Sequence, residues 1–227
     1  MLLKLAGGAC AASALHGAAA FAQSPRFRDA ERTREKIVGI IRAFGDRDAR
    51  ALLHIQKIEP VTDLVIPGVK ARPEHLPLVD YFVGDLHIRY SFDDPKHVSS
   101  VSADDLKRLK LKREELLPLA IANFRRLYPK FKVERLQRQI SSVVEAGELE
   151  PSLLLDASFW NQERERARSE IVAAVPARDS LVFTNRSVTT NVDMLKVVAG
   201  DVYETAAASA LSKRLYLWNQ GRWEVFG

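Results

Sequence analysis

After residue 130 the chain turns back on itself at short, regular intervals, and that pattern constrains its fold most. Apolar runs come in pairs around turn residues. Residues 132–140 and 142–146 form one pair. Residues 171–176 and Ser180–Asn185 form a second, around Ala177-Arg178-Asp179. Residues 214–218 and Arg222–Phe226 form a third, around Asn219-Gln220-Gly221. A strand that returns after so few residues lies antiparallel to its neighbour. Two helical stretches separate the pairs. Residues 152–168 follow Pro151, which suits the first turn of a helix. Residues 191–211 carry Val192, Leu195, Val198, Val202 and Ala206 at helical spacing, weakened mildly by Gly200. This order predicts an α+β fold: mostly antiparallel sheets built from hairpins, alternating with helices that cover one face.

The front half is less regular. Residues 26–44 place Ile37, Ile40, Ile41 and Phe44 at helical spacing and are expected to form a helix ended by Gly45-Asp46. Residues 51–58 and 61–66 have strand character, and Pro67-Gly68 marks a turn. Val79–Val83 and Leu86–Phe92 read as strands. The second alternates, with Leu86, Ile88, Tyr90 and Phe92 on one face. Residues 97–101 return as another strand. Ser102 is placed to cap a short helix at Ala103–Leu109, with Asp104 and Asp105 in its first turn. A further helix carries Leu116, Ala120, Phe124 and Leu127. It must start close to Pro118 or kink there, because proline has no backbone N–H to donate.

The first 22 residues read as an address rather than as structure. Lys4 precedes an Ala- and Leu-rich stretch, and Ala20-Phe21-Ala22 offers the small side chains that signal peptidase requires. Cleavage is expected after Ala22, giving a periplasmic or secreted protein with no integral membrane segment. His16 and the Ala-based apolar run speak against an anchor helix. The chain's one cysteine, Cys10, would leave with the leader. Thiol chemistry, disulfides and cysteine-rich metal sites are thereby excluded for the remainder. The expected organisation is a signal peptide at 1–22, an N-terminal α+β region at 23–110 and a C-terminal hairpin-and-helix region at 111–227.

The back half resembles a known family. The runs ELLPLAIANFRRL, GELEPSLLLDASF, VAAVPARDSLVFTN and LYLWNQGRWEVF are similar in order and spacing to the YtpQ-like family, a bacterial group labelled only as a domain of unknown function. The most specific piece is Ala174-Val175-Pro176-Ala177-Arg178-Asp179-Ser180-Leu181. The likeness spans residues 86–226 and is best over 114–226. It implies an architecture and no activity. An export signal would depart from the family's pattern.

Several chemistries lack their residues. There is no G-x-S-x-G elbow, no Gly-rich phosphate loop and no H-E-x-x-H pair. His54, His75, His87 and His97 show no ligand spacing, so neither metal nor cofactor is expected. Basic clusters at 107–113 and 125–138 are mixed with acids, and the formal charge is only +5. This describes a solvated helix face rather than a nucleic-acid site, so no nucleic-acid partner is expected.

Five residues remain as candidates. Arg178 and Asp179 stand at a turn, where Asp either braces the corner or, with Arg, meets a partner. Asp156 follows three leucines, and with Asp179 it would make a carboxylate pair for acid–base work. Trp218 and Trp223 flank the last turn, as core or as a recognition patch. The leading expectation is a non-enzymatic exported module that binds another envelope protein, with free sheet edges as templates. The rival is a hydrolase-type enzyme using Asp179 and Asp156. Oligomeric state stays open.

Overall fold

The computed structural model describes residues 32–43, 64–66, 69–71, 73–93, 99–136 and 140–227. The leader with its cleavage site, Cys10, His54, His97 and the strand expected at 51–58 lie outside the described residues.

The first sheet joins β1 (Ile37–Ala43), β5 (Leu86–Phe92) and β4 (Val79–Val83), with β6 (Ser99–Ser100) also on β5. β1 runs antiparallel to β5, from Ile37 opposite Phe92 to Ala43 opposite Leu86. β2 (Leu64–Ile66) and β3 (Val69–Ala71) form a small hairpin of their own. β1 corrects the helix expected at 26–44: one 3-10 turn at Arg34–Lys36 leads straight into strand. The run Ile37-Val38-Gly39-Ile40-Ile41 is buried throughout, so it never shows the alternation of a half-exposed strand. Its β-branched residues favour strand, and Gly39 weakens a helix. Gly39 is also needed for space, since a Cβ there would lie 2.8 Å from Leu155 Cδ1.

Two helices follow. α1 (Ala103–Leu109) starts where expected. Ser102 and Asp105 exchange capping bonds, side chain to backbone in both directions. α2 (Leu116–Leu127) starts close to Pro118 rather than kinking, and buries Leu116, Ala120 and Phe124. The α2 residue Asn123 donates to the carbonyls of Arg34 and Ile37, at 2.7 and 2.9 Å, and so fixes the start of β1.

The second sheet has six strands in the order β12-β11-β9-β10-β8-β7, all antiparallel. These are β7 (Lys132–Arg135), β8 (Ser141–Val144), β9 (Ile171–Ala177), β10 (Ser180–Asn185), β11 (Leu215–Asn219) and β12 (Arg222–Phe226). They are the three hairpins of the sequence pattern, and the architecture is α+β. α4 (Thr189–Thr205) covers one face, packing Val192, Leu195 and Ala199 on Val172, Ala174, Val182, Leu215 and Leu217. The opposite face carries Ala173, Val175, Phe183, Tyr216 and Trp218. It shares one hydrophobic cluster with Trp160 of α3 (Ala157–Ala167) and with the first sheet.

α3 begins later than the expected 152. Glu150–Leu155 form a fully buried 3-10 segment, and the Asp156 side chain then caps α3 at the N–H groups of Ser158 and Phe159. α4 stops at Thr205 rather than 211, because a 3-10 turn at Ala207–Ser209 carries the chain to Ala210, which bridges Ala177.

Candidate functional site

Arg178 and Asp179 form the two-residue turn between β9 and β10, and both are exposed. The Arg178 N–H donates to the Ser209 carbonyl at 3.0 Å, so the backbone of the turn is held while its side chains face solvent. Asp156 is in a different situation. It is buried, and its oxygens accept from Arg125, from the Ser158 hydroxyl and from two backbone N–H groups. Burial alone would raise its pKa. The Arg125 and Ser158 bonds outweigh that and hold the carboxyl below its ordinary value. Such a group stays ionised and gives up no proton near neutrality.

A second carboxyl, one that the sequence did not single out, feels the charge of Asp179. Glu150 is buried in the 3-10 segment, where its Oε1 accepts from the Ala146 N–H at 3.1 Å. Its Oε2 is buried without a hydrogen-bond partner. Burial raises the Glu150 pKa, two backbone bonds oppose the rise, and the charges of Asp179 and Glu148 add to it. Nothing in the run Leu149-Glu150-Pro151 announces a buried carboxyl. It becomes one only because the following leucines sink into the core.

Trp218 and Trp223 are core residues, 2% and 8% exposed. Their rings lie 5.2 Å apart, and Trp223 meets Trp160 edge-on at 4.8 Å. The Trp223 indole N–H donates to the Leu154 carbonyl and that of Trp218 to Asn161. The five candidates differ in their surroundings. Arg178 and Asp179 are exposed at a turn, and the other three are buried. Of the histidines, His75 pairs with Asp104 at 3.0 Å and His87 is buried in β5. Among the described residues, no three His, Cys, Asp or Glu side chains are grouped to hold a metal ion.

Among the described residues, one edge of the second sheet is open. β7 ends the sheet, and all four of its residues are exposed. Val133 is 37% exposed and Leu136, just beyond the strand, 46%. Between β7 and α4 runs an open groove of about 660 Å³, lined by Arg135, Leu136, Ile140, Met194 and Val198. Val197 stands exposed on the same helix. The other edge is occupied: the β4–β5 hairpin comes up against β12, where Gly84 lies beside Val225.

The direction of the free backbone groups follows from the ladder. β7 and β8 pair Lys132 with Val144, Val133 with Val143, Glu134 with Ser142 and Arg135 with Ser141. The same register puts Leu136 opposite Ile140, and the Leu136 N–H donates to the Ile140 carbonyl at 2.7 Å. Bonded and non-bonded pairs alternate in an antiparallel ladder. Lys132, Glu134 and Leu136 thus bond inward to β8, while Val133 and Arg135 turn their N–H and C=O groups outward. Lys132 also pairs with Glu145 at 2.6 Å. The Arg178-Asp179 turn stands at this same end of the sheet, two strands further in.

No helix among the described residues is long and apolar enough to cross a membrane. No family model matches the chain, and no solved structure matches it. Two curated proteins do. The chain is 25% identical over 119 residues to a UPF0354 protein of Staphylococcus saprophyticus, covering 52% of this chain and 42% of that protein. It is 22% identical over 171 residues to a UPF0354 protein of Staphylococcus haemolyticus, covering 71% and 60%. The chain spans about half the length of the curated relatives it matches. Their name is not the YtpQ-like one expected from the sequence motifs. What the relatives support is a distant similarity to a family of uncharacterised bacterial proteins.

Proposed function

We propose that this chain is a non-enzymatic exported module that captures an extended segment of another envelope protein along the β7 edge. One observation carries the reading: an exposed edge strand lies beside an open, apolar groove. Added strands gain their affinity from main-chain bonds and their specificity from pockets for alternate side chains. The outward groups of Val133 and Arg135 supply the first, and Leu136, Met194 and Val198 line the second. Arg135 calls for an acidic residue on the bound segment. Arg178 and Asp179 lie within reach of a longer segment leaving the strand at its Lys132 end.

A photo-crosslinking residue at position 136, in tagged protein expressed in its own cells, tests this. The expected product is one envelope partner joined to a chain that begins at Gln23. Crosslinking should vanish in Val133→Pro, which removes an outward N–H and no inward bond, while Tm holds. A chain recovered uncut from the cytosol overturns the export half. Capture that survives Val133→Pro overturns the edge as its site.

The hydrolase-type reading keeps one supporting feature, the buried Glu150 carboxyl with an unpartnered Oε2, whose pKa is raised by burial first and by the charge of Asp179 among lesser causes. In that reading Glu150 replaces Asp156 as the proton-holding member. Turnover of a substrate that is lost in both Asp179→Asn and Glu150→Gln, with the fold intact, would establish it.

A further inference from the structure

We infer that β7 also pairs with the β7 of a second copy of this chain, about a two-fold axis through Val133. The inference rests on the β7 edge being a strand-addition site and names one occupant of it. Among the described residues no strand pairs with the outer side of β7.

Three features of one short strand agree on this pairing. Val133 turns its N–H and C=O outward, so Val133 opposite Val133 of the second copy makes a bonded pair that exchanges two main-chain bonds. That register sets Lys132 opposite Glu134 of the second copy, and Glu134 opposite its Lys132. Directly opposed residues share a face of the sheet, and opposite charges there attract. Arg135 then stands opposite Phe131, and its outward N–H meets a carbonyl. Because bonded and non-bonded pairs alternate, the register can slip only by two in the residue sum. One such slip sets Lys132 opposite Lys132 of the second copy and the other sets Glu134 opposite its Glu134, and each pairs like charges on the axis. The strand is therefore complementary to itself in a single register. Exposed Val133, an edge liability in isolation, becomes covered.

The axis stands perpendicular to the sheet, so both copies of α4 lie on the same face. The two grooves lined by Leu136, Met194 and Val198 then open side by side, above a floor of twelve strands. Pairing occupies the backbone groups that a captured segment would use. A second copy and an envelope partner therefore compete for the edge while the grooves stay open.

Sedimentation of the full purified chain over a range of concentrations and salt tests this. The expected result is a reversible dimer that weakens as salt rises. Lys132→Glu and Glu134→Lys should each weaken it by about tenfold or more, because each places like charges opposite one another. An equimolar mixture of the two variants should recover the dimer as a heterodimer, and so should the double variant alone. Recovery on mixing is a result that damaged folding does not give, and Tm of each variant checks the fold separately. A wild-type dimer indifferent to both reversals overturns the inference. So does a monomer at every concentration, whether the Val133 and Arg135 amides exchange freely or are protected by another part of the same chain. Partner crosslinking at position 136 by a strictly monomeric protein would leave the capture reading standing while this one fell.

Discussion

Arg125 grips both oxygens of Asp156: Nε donates to Oδ2 at 2.5 Å and Nη2 to Oδ1 at 2.8 Å. This pair ties α2 to the first turn of α3, which begins at the same carboxylate. Asp156→Ala should cost about 1–3 kcal/mol at pH 7, from the lost cap and the lost charged bonds. The folded pKa lies below the unfolded value of 3.8. The contribution is therefore complete above that value and drains away as pH falls through the lower, folded one. Urea titrations at pH 7 and in acid should show the gap between wild type and variant narrowing.

Glu150 has the opposite sign. Its folded pKa lies above the unfolded 4.5, so its protonated form favours folding. That contribution is present below 4.5 and is lost as pH rises through the folded value. Glu150→Gln keeps an acceptor for the Ala146 N–H and removes the charge. Relative to wild type, the variant should gain Tm at pH 8, and the gain should shrink toward pH 4. A gain independent of pH would show that the carboxyl is not the titrating group.

Asp85, in the β4–β5 turn, accepts from Ser212 at 2.9 Å and from the Tyr216 hydroxyl on β11. This network links the first sheet to the second. Burial, then the Asp85 bond, pushes the tyrosine far above its usual range, so it stays a donor. Tyr216→Phe should cost about 1–3 kcal/mol by urea denaturation. In the wild type, the ultraviolet signal of ionising Tyr216 should appear only when alkali unfolds the protein.

Two glycines with left-handed backbone separate strain from crowding. At Gly147, φ is +64° and a Cβ would sit 2.2 Å from Tyr128 Cε1. At Gly221, in the last hairpin turn, φ is +81° and nothing lies within 4 Å. Gly221→Ala should cost about 1–2 kcal/mol, the backbone penalty alone. Gly147→Ala should cost about 2–4 kcal/mol, because Tyr128 must also move. Equal losses in thermal melts would mean that Tyr128 yields without cost.

The hairpins were legible because each closes on local turn chemistry, as at Gln220-Gly221, where both φ values are positive. Ser102 and Asp105 were legible for the same reason, being partners three residues apart. β1 was not. Ile37, Ile40 and Ile41 fit a helical stripe, and only burial on both faces by distant segments makes them strand. The start of α3 was misplaced because Pro151 suits both a 3-10 and an α turn, and the choice fell to Asp156. The strand at 132 could be read, but its place at the sheet's edge could not. That depends on β10 lying between β8 and β9, a long-range pairing with no local mark. Glu150 was invisible on the same ground.

Trp218 and Trp223 close the core around Trp160, and both come from the hairpin of residues 215–226. β11 also supplies the inner strand that joins β12 to β9. A chain emerging from the ribosome therefore presents β9, β10 and α3 well before the indoles that seal them. Until that hairpin arrives, the central aromatic cluster has an open side and the second sheet lacks two strands. Synthesis is directional, but the core of this protein is not: Trp218 and Trp223, made after β9, β10 and α3, are among its innermost residues. The aromatic core therefore stays incomplete until residues 215–226 have been made, whatever has folded before them.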